Sequence, residues 1–328
     1  MMLDRRRCVF TGIAWLLPAV TRAQTSARPA RVAFVGSVPI KSWPPFAIFT
    51  EAMRELGWVE GRHYLIDEAS YDGRAERIPA VVAELMARQP DLIIGSATPP
   101  MRALIQVTKT IPIVMFAVGD PEGQGFVSNL ARPGGNVTGL SSLDHGILAK
   151  QFELLLQAAP QVRRVGAVLN PDIPPHLKGL ADVEVVASRA GVQVRPVAMR
   201  APGELEATMQ ALQRERVEAV HFFPQPYLNT GNRTERLAAF ALQQRWPTAM
   251  NDRPHVAAGM LLAYGWKIDD LLRRLPHYVD RILKGTPPGE MPIEQPTRFY
   301  TTINLKTARA LGLKLPQSLL LRADEVIE

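Results

Sequence analysis

The chain has 328 residues and a single cysteine, Cys8, close to its start. Everything after that position lacks a thiol, which excludes disulfides, cysteine nucleophiles and thiolate metal sites from the body of the protein. Catalytic signatures are missing as well. No Gly-rich run ends in Gly-Lys-Ser/Thr, and neither a Gly-x-Ser-x-Gly elbow nor a His-Glu-x-x-His pair occurs. The six histidines (His63, His145, His176, His221, His255 and His277) share no ligand spacing within one helix, so no metal is expected, and no cofactor is implied. Charge of one sign is also scarce. The net charge is +7, and Arg5, Arg6, Arg7 and Arg22 against Asp4 place three of those charges before residue 24. The other Lys and Arg residues are scattered, which argues against a nucleic-acid partner.

What is present begins with a targeting signal. A basic segment precedes an apolar stretch from Cys8 to Val20, and Thr21-Arg22-Ala23 follows as a cleavage site. The apolar stretch is too short to span a bilayer and is broken by Gly12 and Pro18. Residues 1–23 therefore read as a signal peptide and 24–30 as a connector. The mature chain is expected in the periplasm. The general secretory route is favoured, with Arg6-Arg7 keeping the twin-arginine route as the alternative.

The remainder is ordinary globular composition, 47% hydrophobic and 21% charged, and long enough for two domains. Strand-like RVAFVGS (31–37) is followed by Phe46, Phe49, Met53 and Leu56 at helical spacing, with Gly57 as the stop. YLIDEASY, IPAVVAELMAR, LIIGSA, a helix near 100–109 and IPIVMFAV continue the β-α series. Such alternation predicts a parallel sheet covered on both faces. The series then recurs about 130 residues later. RVAFVGS matches RVGAVLN (164–170), ELMARQPDLIIGSA (84–97) matches ALQRERVEAVHFFP (211–224), and IPIVMFAVGDP is echoed by WPTAMNDRP.

The prediction is an α/β protein of two similar, doubly wound parallel-sheet lobes joined by a multi-strand hinge. Lobe one takes 31–140 plus 266–288, and lobe two takes 141–265 plus 289–328. Between them, FVSNL (126–130) suits a short helical turn and VTGLS an edge strand. Bending is expected near 139–143, 264–267 and 289–302, with Gly139 and Gly265 supplying backbone freedom.

Several stretches carry a family likeness: ELGWVEGRHYLID, RIPAVVAEL, SATP, TIPIVMFAVGDP, GFVSNLARPGGNVTGLS, DRILKG and the C-terminal INLKTARALGLKLPQSLLLRADEVIE. Together they resemble the ABC-transporter substrate-binding proteins of the tryptophan-binding-like group, which have a type I periplasmic-binding fold. The resemblance implies capture of a small molecule outside the cytoplasmic membrane and delivery to an ABC permease in that membrane. A monomer without enzymatic activity is expected. One departure stands out. After Thr-Pro the family usually has a small residue bearing an N–H, whereas here Pro99 is followed by Pro100. Proline has no amide hydrogen, so two donors to an anion are lost.

In a parallel sheet, ligands bind outside the carboxyl ends of the strands. On that ground Gly36 and Ser37, then Ser96, Ala97 and Thr98, then Asp120 are candidates in lobe one. A helix starting near Thr98 offers N–H groups and a positive dipole end, although Thr98 equally suits a helix cap. Asp120 suits a ligand ammonium, and also a turn before Pro121. Lobe two offers Asn170, Gln225, Asn251 and Asp252, whose amides and carboxylate can orient a ligand. Tyr264, Trp266 and Trp43 are candidate covers for an apolar or aromatic ligand, or core residues.

The leading reading is an exported solute-binding protein for a small polar or amphipathic molecule, an amino acid or related carboxylate among the options. The alternatives are an exported α/β enzyme using Asp120 or Asp252 with a histidine, and a sensory ligand-binding domain. The leader generates a direct expectation. N-terminal sequencing of protein recovered from periplasm should begin near Gln24, and intact chain held in the membrane through residues 8–20 would contradict it.

Overall fold

The computed structural model describes residues 28–142, 146–229 and 232–328. The leader and most of the connector lie outside these residues, as do Leu143, Asp144, His145, Thr230 and Gly231. Among the described residues no helix is long and apolar enough to cross a membrane.

The first lobe alternates strands with helices as expected. Its elements are β1 (Ala30–Gly36), α1 (Phe46–Glu55), β2 (Tyr64–Ser70), α2 (Ile78–Ala87), β3 (Leu92–Ser96), α3 (Thr98–Val107), β4 (Ile113–Gly119) and β5 (Val137–Ser142). All pairings are parallel, in the order β2-β1-β3-β4-β5. The central strands are apolar throughout because helices cover both faces. Phe46, Phe49 and Met53 form the buried stripe of α1, and Val81, Val82 and Leu85 that of α2. Two apolar clusters result, one on each face of the sheet.

The second lobe repeats the plan with α4 (Ile147–Ala158), β6 (Arg164–Leu169), α5 (Pro174–Ala190), β7 (Gln193–Ala198), α6 (Leu205–Arg214), β8 (Ala219–Phe222), α7 (Arg233–Gln243), β9 (Thr248–Met250), α8 (Arg253–Ala257) and β10 (Leu262–Gly265). The order β10-β9-β8-β6-β7 reproduces the first sheet in mirror listing, so the repeat read from sequence is a repeat of topology. The chain then returns to lobe one as α9 (Ile268–Leu283), whose Leu271, Leu272, Leu275 and Val279 join the core under β1, β3 and β4. It ends on lobe two with β11 (Tyr300–Asn304), α10 (Leu305–Ala310), α11 (Gln317–Leu320) and β12 (Glu325–Ile327). β11 runs antiparallel to β10 and parallel to β12.

Three details differ from the sequence reading. The boundary expected after residue 140 falls inside β5, because Ser141 and Ser142 remain in register with Val118 and Gly119. Residues up to Glu294 stay with lobe one rather than lobe two. Ile293 N–H donates to Leu130 O at 2.7 Å, and Thr138 Oγ1 donates to Met291 O at 2.8 Å. The FVSNL stretch forms a loop with no helix, tied by Leu130 N–H to Glu122 Oε1 at 2.6 Å.

The two glycines expected to supply backbone freedom are also sites of close backbone approach. At Gly139, φ is +130°, and a Cβ there would lie 2.3 Å from Met115 O. At Gly265 a Cβ would lie 2.1 Å from Asn251 O. Both are glycine because a neighbouring backbone comes too close for any side chain. Gly139→Ala should therefore lower stability by about 2–4 kcal/mol, a severe core-type loss. Gly125→Ala, with positive φ but open space around it, should cost only about 1 kcal/mol. Urea midpoints with unchanged m-values measure both, and equal losses would contradict this assignment.

Candidate ligand-binding site

The carboxyl ends of the two sheets face one another across a cavity of about 340 Å³. That is the size range of small-molecule sites. From lobe one its wall comprises Gly36 and Ser37 after β1, Ser96, Ala97, Thr98 and Pro99 between β3 and α3, and Phe116 and Ala117 of β4. Lobe two contributes Ile173 of the β6–α5 connection, His176 in the first turn of α5, Gln225 after β8, Glu235 on α7, and Asn251 and Asp252 after β9. Phe34, Trp43 and Trp266 complete an aromatic side on lobe one.

Backbone geometry is unusual where the lobe-one wall is made. Ala97, the residue before α3, has φ +67° and ψ 172°, a region that side chains rarely adopt. Ala117 has φ +56° at a break in the β4–β5 register between Phe116 and Val118, and Asp120 has φ +42°. A bulge re-aims the residues beside it, and strain of this kind concentrates at functional sites. Thr98 opens α3 without capping it: its Oγ1 stands 3.5 Å from the Gln124 amide nitrogen, and the cap position belongs to Ala97. Ala97 N–H donates to Phe116 O at 2.9 Å. With Pro99 and Pro100 following, the Thr98 N–H is the one first-turn donor that this helix keeps for a ligand.

Three predicted residues stand away from the cavity wall. Asp120 Oδ1 accepts from Gly123 N–H at 3.1 Å, and Oδ2 lies 3.6 Å from Lys178 Nζ on α5 of the other lobe. The turn-forming role before Pro121 thus orients its carboxylate along the rim. Asn170 organises the loop after β6: its Oδ1 accepts from Asp172 N–H at 2.9 Å, and its N–H donates to His176 Nδ1 at 3.1 Å. Tyr264 packs on the lobe-two core and stacks on Phe299, with ring centroids 5.9 Å apart. Gly36, Ser37, Ser96, Ala97, Thr98, Gln225, Asn251 and Asp252 all reach the wall, as do Trp43 and Trp266.

Sequence reasoning missed His176, Glu235, Phe116 and Ala117. The first two sit in the first turns of α5 and α7, beyond the strand ends that the sequence pattern marks. For Ala117 no sequence signal exists, because a bulge depends on the neighbouring strand.

The rims of the two lobes touch. The turn at Gly73 abuts lobe two, where a Cβ on it would stand 3.0 Å from Tyr227 Cβ and 3.1 Å from Pro202 Cγ. Together with the Asp120–Lys178 pair, these contacts bring the rims together. The exposed ion pair adds only about 0–1 kcal/mol.

Two buried histidines, His176 in the wall and His221 beneath it, are held uncharged. Burial pushes His176 down to about 4, against hydrogen bonds with the Pro224 and Asn170 backbone that raise it. Burial likewise takes His221 down to about 3. The His221 Nε2 lies 2.7 Å from Gln151 Oε1, and Gln151 Nε2 donates to Tyr264 O at 2.7 Å. Among the described residues, no group of three or more His, Cys, Asp or Glu is arranged to hold a metal.

The profile of the family described as ABC transporter substrate binding protein matches residues 47–327. The chain belongs to this family. A tyrosine-binding protein of Clostridioides difficile strain R20291 is 23% identical over 270 residues, covering 81% of this chain and 76% of that one. Among solved structures, a conserved domain protein from Vibrio cholerae superimposes with a TM-score of 0.82 at 25% identity. It covers 91% of this chain and 100% of its own. An ABC domain from Streptococcus pneumoniae in complex with L-Trp gives 0.80 at 25% identity, with the same coverage.

The buried histidines generate a pH expectation. Unfolded histidine takes up a proton near 6.5, whereas folded His176 does so only near 4 and His221 near 3. The unfolded state therefore binds more protons in that interval, so stability is full above about pH 6.5 and falls as pH drops toward 4. Denaturation midpoints across pH 4–8 should show this slope. In His176→Gln the slope should be shallower, and an unchanged slope would contradict the assignment.

Proposed function

We propose that the protein is the periplasmic capture component of an ABC importer, closing on a small amphipathic molecule and presenting it to a permease in the cytoplasmic membrane. The single observation that carries this reading is the cavity itself. Carboxyl ends of two topologically matched sheets supply its polar groups from both sides, and the rims are in contact. Ser37, Ser96 and Thr98 on one lobe and Gln225, Asn251 and Asp252 on the other hold the polar end of the ligand. Trp43, Phe34, Phe116 and Trp266 take its apolar body. Capture rather than turnover is the role, supported by the lack of any nucleophile–base motif in the sequence and by relatives described as binding proteins.

A ligand that touches both lobes favours the closed form through the contacts it makes only there. The permease then distinguishes loaded from empty protein by lobe spacing. Export through the leader supplies the compartment in which such a protein acts, and a monomer suffices for the cycle.

The test is native mass spectrometry of protein isolated from periplasm, together with small-angle scattering before and after the bound molecule is stripped by unfolding and refolding. A small-molecule adduct should be seen, and the stripped protein should have the larger radius of gyration. Ser96→Ala, Thr98→Ala and Gln225→Ala should each weaken rebinding of the released molecule by about 1–3 kcal/mol, the loss for a buried polar partner left unpaired. Full affinity in all three variants would move the site elsewhere, and saturation without compaction would reject capture by closure.

A further inference from the structure

The chemistry of the cavity wall is one-sided. No lysine or arginine lines it among the described residues, and the stretches 143–145 and 230–231 contain none in sequence. Its charged side chains are the carboxylates of Asp252 and Glu235, and its histidine, His176, is held neutral by burial. A carboxylate desolvated here would find no cation to compensate it, which is costly. The helix N-terminus that substitutes for a cation in such clefts is blunted. Pro99 and Pro100 carry no N–H, and the Ala97 N–H is already given to Phe116 O.

Gln225 points the same way. It is 3% exposed, and its side-chain amide has one buried atom without a partner. The Tyr227 hydroxyl lies within hydrogen-bond reach of both Met199 O and the Gln225 amide end assigned as oxygen. A phenol has one hydrogen and cannot donate to two carbonyl oxygens at full strength. The two ends of an amide are interchangeable in shape. In the consistent arrangement, Tyr227 donates to Met199 O and accepts from the Gln225 NH₂. The buried atom left without a partner is then the Gln225 oxygen, an acceptor on a residue that lines the cavity.

The charged groups on the polar side are therefore all carboxylates, beside neutral hydroxyls and amides, and aromatic faces form the other side. Trp43, Phe34, Phe116 and Trp266 offer the negative ring faces that attract a cation, as well as area for an apolar body. We propose that the ligand of this cleft is an organic ammonium carried on an aromatic or apolar body, and that a carboxylate on the ligand is dispensable. The inference rests on the capture reading and adds the ligand's charge to it. Asp252 and Glu235 compensate the ammonium, the Gln225 oxygen accepts one of its N–H groups, and the hydroxyls of Ser96 and Thr98 accept any further donor. In this class the chain parts from relatives described as binding tyrosine or L-Trp, which are zwitterions.

Stripped protein is titrated by calorimetry with three matched sets: tryptamine, L-tryptophan and 3-indolepropionate, and tyramine, L-tyrosine and 3-(4-hydroxyphenyl)propionate, with phenethylamine and 3-phenylpropionate as the ring-only pair. The amines are expected to bind at least about tenfold more tightly than the acids, as the loss of a charged hydrogen bond implies. Removing the carboxylate from the amino acid should weaken binding by less than about threefold. Asp252→Asn and Glu235→Gln, neither of which changes side-chain size, should each reduce amine affinity by about tenfold and should not weaken the acids. Acids binding as tightly as amines, amino acids binding where amines fail, or no amine binding at all would each overturn the proposal. Amine binding without lobe compaction would instead leave the ligand class standing and remove the capture mechanism.

Discussion

A parallel sheet has polarity, and the site depends on it. When every strand in the five-stranded sheet runs the same way, all carboxyl ends and all following helix N-termini emerge on one edge. At β1 and β3 the connections depart to opposite faces, which opens a crevice between Ser37 and Ser96. The second sheet repeats the order and therefore opens its own crevice between the ends of β6 and β8. Two such edges set face to face form a cavity that neither lobe has alone. The chain makes this possible by crossing between lobes after β5, after β10 and before β11, so that α9 completes the core of lobe one from the far end of lobe two.

Each lobe carries its own apolar interior on both faces of its sheet, whereas the rims meet through an exposed ion pair and the contact at Gly73. Stability and closure are consequently separate matters. Core packing and buried networks such as His221–Gln151–Tyr264 decide whether a lobe is folded. In the proposed capture cycle, the weak rim leaves the choice between open and closed to whatever occupies the cavity. Strained positions fall on the same side of the division: Ala97, Ala117 and Asp120 lie at the strand ends, where a rigid sheet over-determines them.

The strand-end candidates were legible because their placement follows from topology alone. Ser96, Ala97 and Thr98 end a buried apolar run, and any parallel sheet would deliver them to the edge. Asn251 and Asp252 follow β9 for the same reason. Asp120 and Asn170 also follow strands, yet short-range hydrogen bonds to Gly123 and Asp172 turn their side chains into loop formers. Adjacency to a strand end does not specify direction. Tyr264 lies within a strand, so the pleat decides which face it takes, and it went to the core.

The sequence by itself determined the strand–helix alternation, the doubled plan and the pair of proline residues that blunt α3. These are properties of periodicity and of single residues, independent of what lies across the cleft. Only the tertiary structure decided that Gly139 and Gly265 are places of close backbone approach, because a clash needs the partner strand. It also brought Glu235, His176 and the aromatic side of lobe one around one cavity. Contacts between residues more than a hundred positions apart leave no local pattern, and the charge of the cavity is a sum over such contacts.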